Sequence, residues 1–299
     1  METRRGLAAG LAAYVIWGLF PLYFPLLKPS SAGEVLAHRI VWTLVTMGLL
    51  LAFARRWAWV KAVTGRQWAA LSAAAVLIAV NWGTYILAVN DGKTIEASLG
   101  YFITPLFSVL LGVVLLKERL RPWQWTAVGI GVLAVVILTL DYGRPPWIAL
   151  ILTFTFGIYG LLKKRAAMPS AESMAIESAV LFVPAAGFAV WTQADGSAAF
   201  GHHGAGHVLL ILALGIVTAA PLMLFNTAAQ ALPLSTVGLL QYLAPVLQFS
   251  VGLFVQHELM PGSRWTGFGL VWFALAILTF DAFRTARRSR AATPVTAAA

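Results

Sequence analysis

Residues 125–141, WTAVGIGVLAVVILTLD, return at residues 265–281 as WTGFGLVWFALAILTFD. The match continues without a gap over residues 88–141 and 228–281, where 13 of 54 positions are identical, which argues against a chance match of two apolar stretches. Duplicated apolar halves are typical of transporters, whose substrate site lies between the repeats. The repeat therefore predicts a membrane protein built by duplication.

The composition indicates a lipid environment. The 299 residues are 60% hydrophobic and 11% charged, whereas soluble domains carry about 25% charged residues. A chain with so few charges cannot cover itself with a polar surface, so much of its surface should face lipid. The sequence has no cysteine, which excludes disulfides, zinc–thiolate sites and thiol catalysis.

Apolar segments of membrane-spanning length run through the whole sequence. A membrane-crossing helix needs about 20 mostly apolar residues. The first apolar stretch is too long for the core of a signal peptide, so we interpret it as a retained first span. Ten segments qualify, and they cover residues 7–27, 34–54, 68–89, 95–116, 122–140, 146–162, 173–193, 207–226, 234–255 and 263–283.

The positive residues predict an orientation. With ten spans, one set of alternating loops and tails holds 16 Lys and Arg and the other set holds 4. Cytoplasmic segments carry the excess of positive charge, so we expect both termini in the cytoplasm. The one remaining Lys or Arg of the 21 is Arg39, which lies inside the second span.

Because each half has five spans, which is an odd number, the second copy crosses the membrane in the opposite direction to the first. The loop at residues 117–121, KERLR, becomes HELMP at residues 257–261, which has lost the positive charges as an inverted copy should. We expect a first five-helix repeat in residues 1–142, a second, inverted repeat in residues 143–290, and a disordered cytoplasmic tail in residues 291–299. The predicted fold class is an all-α integral membrane protein with ten helices around a central cavity.

Charged residues within the bilayer are costly and are usually paired or functional. Glu34 and His38 lie four residues apart on one helix face. Arg39 and Glu177 occupy similar positions in the two halves, so we expect them to approach each other. The two residues either anchor a substrate or carry a proton, or they are a structural ion pair that locks the two halves or charges at the membrane interface.

Glu96 lies near the start of the fourth span. A carboxylate in the first turn of a helix interacts favourably with the helix dipole, and a proton-carrying or cation-binding role is the alternative. Glu34, His38, Glu96 and Glu177 are therefore the candidates for proton coupling.

Two prolines at matching repeat positions, Pro105 and Pro245, predict bends in the fourth and ninth spans. Carbonyls freed by a bend are tolerated in a membrane only where protein or a wet cavity receives them. Paired bends are typical of a central transport site, so we assign both prolines as hinges.

Polar and aromatic side chains in the spans are candidates for the lining of that cavity. Aromatic rings with a few polar groups form ordinary small-molecule pockets, whereas Trp and Tyr near the membrane surface form interfacial belts. For the deeper residues both interpretations stay open. The candidate substrate-binding residues are Tyr14, Trp17, Arg39, Asn81, Trp82, Tyr85, Tyr101, Tyr159, Gln241 and Tyr242.

No motif predicts a metal, a cofactor or catalysis. His202, His203 and His207 lack carboxylates at ligand spacing and are better interpreted as loop histidines. The sequence has no phosphate-binding glycine loop and no nucleophile motif. We predict that the chain is not an enzyme and uses no cofactor.

Several motifs together resemble those of the RarD-type family, also called chloramphenicol-sensitive proteins, in the EamA branch of the drug/metabolite transporter superfamily. The resemblance implies ten helices in two inverted five-helix repeats, in a bacterial inner membrane, and export or exchange of small metabolites or drugs. The motifs are AAYVIWG at 12–18, EVLAHR at 34–39, NW at 81–82, AVN at 88–90, EASLGYFITP at 96–105, YGLLKK at 159–164, GIVT at 215–218, Pro221, LST at 234–236 and QY at 241–242.

A secondary transporter that works by alternating access is the function these features favour. The alternative is a non-catalytic membrane subunit of a larger transport or signalling complex, although the loops are too short for a large coupling surface. The expected partners are a small-molecule substrate and membrane lipid but no nucleic acid, with a homodimer left open.

Overall fold

The computed structural model describes residues 2–55, 57–117, 120–232 and 234–291. All regular structure in this part of the chain is helical. The helices are α1 Glu2–Gly18, α2 Phe20–Tyr23, α3 Ala32–Phe53, α4 Gly65–Asn90, α5 Thr94–Leu116, α6 Pro122–Tyr142, α7 Trp147–Ala166, α8 Ser170–Ala194, α9 Gly204–Ala231, α10 Leu234–Leu240, α11 Leu243–Phe254 and α12 Gly262–Ala291. Two 3₁₀ turns cover Phe24–Leu27 and Ala58–Lys61. The tail expected at 291–299 lies outside the described residues from position 292 onward.

Capping residues determine where several helices begin and end. The Ser31 hydroxyl accepts a hydrogen bond from the Glu34 backbone N–H at the start of α3. Thr64 and Gln67 form a capping box at the start of α4. Gly143 ends α6 with a φ of 63°, a conformation that glycine adopts without strain.

Eight described helices are long and apolar enough to cross a membrane. A ninth span is formed if Arg4–Gly18 and Phe20–Leu27, which meet at a bend of 42°, cross together. Nine of the ten predicted segments therefore correspond to span-length elements.

The ninth predicted segment, over 234–255, is wrong as a single helix. It consists of α10 and α11 with a break at Gln241 and Tyr242. Pro245 favours the break, because it has no N–H for the carbonyl of Gln241 four residues earlier. Its repeat partner Pro105 lies inside the continuous helix α5, so the two expected hinges have different shapes.

The main helix contacts join elements from the two halves of the sequence. α1 packs on α9 and α11, α3 on α8 and α9, α4 on α7 and α8, α5 on α7 and α11, and α6 on α12. One core cluster lies among α5, α6, α11 and α12. A second lies among α3, α4, α5, α7, α9 and the chain from Phe20 to Leu27, and it includes Tyr85, with Trp17 and Tyr101 packed against it.

Hydrogen bonds between loops define two ends of the bundle. The first, here called the Glu34 end, holds the loops at 28–31, 91–93, 143–146, 195–203 and 255–261. The second, called the Lys163 end, holds the loop residues 54–55, 57–64, 117, 120–121 and 167–169. α3 starts at the Glu34 end, whereas α8 starts at the Lys163 end.

Candidate substrate site

Arg39 forms the centre of a buried polar and aromatic cluster, here called the Arg39 cluster. The side chain belongs to α3, and only 3% of the residue is exposed. Its guanidinium carbon lies 3.9 Å from the ring centre of Trp82, 5.4 Å from that of Phe20 and 5.8 Å from that of Phe24. Its Nε donates a hydrogen bond of 3.1 Å to the hydroxyl of Thr218 in α9. The cluster thus joins helices from both halves of the chain.

The expected pairing of Arg39 with Glu177 is wrong. Glu177 accepts hydrogen bonds from Lys163 Nζ at 2.6 Å and from the Tyr159 hydroxyl at 3.1 Å. Both residues are the eighth of their helices, but α3 and α8 start at opposite ends of the bundle. Equivalent depth in the two halves therefore places Arg39 and Glu177 near different ends.

Asn81 and Tyr101 extend the Arg39 cluster through hydrogen bonds. The Tyr101 hydroxyl donates to Asn81 Oδ1 at 3.0 Å. Asn81 Nδ2 donates to the Thr155 hydroxyl at 2.9 Å and to the Leu152 carbonyl at 3.1 Å. The amide is therefore fixed between α4, α5 and α7, as a buried amide requires.

Tyr85 lies beside Tyr101, with their ring centres 5.7 Å apart. The residue is 3% exposed. Its hydroxyl is buried and has no hydrogen-bond partner among the described residues. A buried, unpaired hydroxyl is costly, so its retention here needs a reason.

Aromatic rings form a row through this part of the bundle. Phe24, Tyr85, Tyr101, Phe156 and Tyr159 follow one another with ring centres 5.7 to 6.0 Å apart. The row connects the Arg39 cluster with the Glu177–Lys163 pair, so Tyr159 lies at its far end rather than against Arg39.

Tyr14 and Trp17 lie on α1 and make their own aromatic contacts. Their rings are 5.3 Å apart, and both pack against Phe225 of α9 at 6.1 and 6.0 Å. Gln248 Nε2 donates to the Trp17 carbonyl at 3.1 Å. Trp17 also packs against the core cluster that contains Tyr85, which places this group next to the Arg39 cluster.

Gln241 and Tyr242 do not line this part of the bundle. Gln241 is exposed in the turn between α10 and α11. Tyr242 packs against the core of α5, α6, α11 and α12. The sequence analysis placed both residues in one helix, whereas in the structure they lie at the break between α10 and α11, away from the Arg39 cluster.

The two proton-coupling candidates Glu34 and Glu96 bind backbone N–H groups at the Glu34 end. Glu34 Oε1 accepts from Ala199 and Phe200 at 2.9 and 2.8 Å. Glu96 accepts from the Ile148 N–H at 3.2 Å and pairs with Arg144 at 2.9 Å. The interpretation of Glu96 as a carboxylate that interacts with a helix dipole fits. The helix start that it contacts most directly, however, is that of α7 and not that of its own helix, α5.

Glu258 has a similar role that the sequence analysis missed. It accepts from the backbone N–H groups of Thr94 and Ile95 at 2.6 and 3.0 Å, in the first turn of α5. Burial raises the pKa of Glu258 above its ordinary value, and these hydrogen bonds offset only part of the rise. Its identity with Glu118 in the repeat was the available signal.

His38 packs its ring against Phe200 with the ring centres 4.4 Å apart. Its Nδ1 is buried without a hydrogen-bond partner among the described residues. The described residues contain no group of three or more His, Asp or Glu arranged to hold a metal ion.

The sequence analysis did not predict four residues of the site, because apolar and interfacial residues carry no distinctive sequence signal. They are Thr218, Phe20, Phe24 and Lys163.

Comparison with known proteins identifies the family. A model of the EamA-like transporter family matches residues 4–140. "Protein RarD" of Streptomyces exfoliatus is 55% identical over 97% of this chain and 93% of that protein. The chain belongs to the RarD family. The "Uncharacterized transporter YojE" of Bacillus subtilis is 41% identical over 97% of this chain and 98% of its own length.

Membership of the RarD family, within the EamA-like transporters, confirms the resemblance drawn from the motifs. A solved chain described as "Crystal structure of protein" superposes with a TM-score of 0.60 at 18% identity, over 92% of this chain and 97% of that chain. That likeness concerns the fold alone. Family and helices together make this RarD family member a multi-pass membrane transporter.

Proposed function

We propose that the chain is a secondary transporter that exports or exchanges small metabolites or drugs by alternating access. It would lie in the bacterial inner membrane with both termini in the cytoplasm, and residues 1–142 and 143–290 would form two inverted repeats. The observation that carries the proposal is the Arg39–Thr218 hydrogen bond, which places a charged group of one half against the other half deep in the bundle.

The pattern of helix packing supports two repeats related by a twofold axis. If α1 corresponds to α7 and α4 to α9, the contact of α1 with α9 matches that of α7 with α4. The contact of α1 with α11 likewise matches that of α7 with α5. Such repeats commonly enclose a midplane site and open it alternately to each side.

Polar contacts between the two halves support a conformation closed at the Glu34 end. Glu34, Glu96 and Glu258 each bind backbone N–H groups across the two halves there. At the Lys163 end, the bonds between halves include those from Gln67 to the Ala166 carbonyl and from Arg121 to Asp281. With the cytoplasmic termini proposed here, the Glu34 end faces outward.

Glu177 and Lys163 are the pair best placed for proton coupling. Their charged atoms are 2.6 Å apart, and the Glu177 side chain is 3% exposed while that of Lys163 is 20% exposed. Glu34 and Glu96 are instead engaged by backbone N–H groups. We propose that opening the Lys163 end separates the pair and lets Glu177 take up a proton, since a lone buried carboxylate is disfavoured.

Transport by purified protein in liposomes tests the function. Labelled amino acids, nucleosides and chloramphenicol are offered with and without a pH gradient. We expect flux of at least one solute, its loss in Arg39→Gln, and its retention in Arg284→Gln, a matched change at an exposed arginine. Absence of flux from folded wild-type protein would instead favour the complex-subunit function.

A further inference from the structure

Arg39 differs from the arginines at the ends of the bundle. Arg144 pairs with Glu96, Arg264 with Asp141, and Arg121 with Asp281. Arg39 is the most deeply buried of the four, yet no carboxylate pairs with it among the described residues. Glu34, five residues earlier, directs Oε1 to the N–H groups of Ala199 and Phe200.

The aromatic rings offset only part of the cost of this buried charge. Arginine stays protonated in proteins, and a buried ion is expensive unless it is paired and hydrogen-bonded. The faces of Trp82, Phe20 and Phe24 attract the cation. Rings cannot satisfy N–H donors in the plane of the guanidinium, however, and both Nη groups lack an acceptor within the described chain.

The geometry leaves one edge of the guanidinium for a ligand. Trp82 lies 3.9 Å from the guanidinium carbon, and Thr218 holds Nε. The Nη1–Nη2 edge is therefore oriented but has no protein acceptor. Two parallel N–H donors in one plane match the two oxygens of a carboxylate.

Tyr85 independently indicates the same ligand chemistry. Its hydroxyl is buried and has no partner among the described residues. Its ring packs 6.0 Å from that of Phe24, which in turn lies 5.8 Å from the Arg39 guanidinium carbon. A hydroxyl donates readily to an anionic oxygen. Two donors of different kinds thus belong to the same cluster of aromatic rings.

We propose that the transported solute is an organic carboxylate with an apolar or aromatic body. Its carboxylate binds the Nη edge of Arg39 and the Tyr85 hydroxyl, and its body packs against Phe20, Phe24 and Trp82. This inference rests on the transport function proposed above, because it assigns the substrate class of the same site.

Pairs of acids and their neutral amides test the charge requirement directly. The probes are benzoate, 3-phenylpropionate and octanoate, each compared with its amide. Binding to purified protein in detergent is measured by tryptophan fluorescence and by the shift in the unfolding temperature. In at least one pair the acid is expected to bind about 10- to 100-fold more tightly than the amide, since hydrogen bonds to charged groups are strong.

Three variants test whether Arg39 and Tyr85 cause the preference for the acid over the amide. Arg39→Gln should remove the preference for the acid, Arg39→Lys should keep part of it, and Tyr85→Phe should weaken acid binding about 3- to 10-fold. Arg284→Gln should leave binding unchanged. If Arg39→Gln does not fold, the acid–amide comparison on wild-type protein and on Arg39→Lys still decides.

Two outcomes overturn the proposal: no preference for the acid in any of the three pairs, or an undiminished preference in folded Arg39→Gln. Flux of a neutral solute together with either result would leave the transport function standing and remove only the anion site. Selective acid binding without any flux would leave the anion site standing and remove the transport function.

Discussion

Gly215→Ala should destabilise the protein and loosen the Arg39 cluster together. A methyl group at this position of α9 would lie 2.6 Å from the carbonyl carbon of Trp42 in α3 and closer still to its oxygen. Real Cβ atoms essentially never come within 3.0 Å of another heavy atom. The obstacle is backbone, so the two helices must separate by several tenths of an ångström.

The expected loss follows from two opposing effects. Overpacking costs about 1–3 kcal/mol, and replacing glycine by alanine in a helix returns up to about 1 kcal/mol. The net loss therefore lies within about 0–3 kcal/mol, with a central value of about 1.5 kcal/mol. Thr218 lies one turn from Gly215, so the same displacement should lengthen its 3.1 Å hydrogen bond to Arg39 and weaken substrate binding.

Gly48→Ala is the matched control, because a methyl group there meets nothing within 4 Å. It should be neutral or stabilising by up to about 1 kcal/mol. Unfolding in detergent, followed by tryptophan fluorescence, compares the two variants with wild type. Equal stability of Gly215→Ala and Gly48→Ala would refute the close packing of α3 against α9.

Two further predictions concern carboxylates. Lys163→Met leaves Glu177 buried without its cation, so we expect a loss of about 3–5 kcal/mol, largely restored by adding Glu177→Gln; no recovery in the double variant would contradict the pairing. Because burial raises the pKa of Glu258 above its unfolded value of 4.5, its contribution to stability is complete below that pH and is lost as the pH rises through the folded pKa. The stability of wild type relative to Glu258→Gln should therefore fall as the pH rises above about 4.5. Asp91→Asn, at an exposed pair with Lys93, is the control, and a difference that grows with pH would exclude the raised pKa.

Apolar length and repeat structure predicted most helices because both depend on local composition. Nine segments became span-length elements, and the candidate residues Arg39, Asn81, Trp82, Tyr85 and Tyr101 lie in one connected cluster. These residues stand out in the sequence because polar groups are rare inside apolar helices.

The features of the fold that the sequence did not predict depend on tertiary context. Two prolines at equivalent positions gave one continuous helix and one break. The Gly100 carbonyl of α5 accepts hydrogen bonds from the Thr104 hydroxyl of the same helix and from the Thr153 hydroxyl of α7, which holds α5 against α7. Sequence equivalence also suggested that Arg39 and Glu177 meet, whereas their helices start at opposite ends of the bundle.

A removable cross-link between the halves tests alternating access most directly. The native chain has no cysteine, so Thr94→Cys and Gln256→Cys introduce the only thiols, at residues whose side chains are hydrogen-bonded across the halves at 2.5 Å. The control pair is Ser170→Cys and Asn226→Cys, at residues joined at 2.8 Å within the second half. A short, cleavable thiol cross-linker should stop flux in the first pair, reductant should restore it, and the control should keep transporting. Unchanged flux with Thr94→Cys and Gln256→Cys fully cross-linked would contradict opening at the Glu34 end.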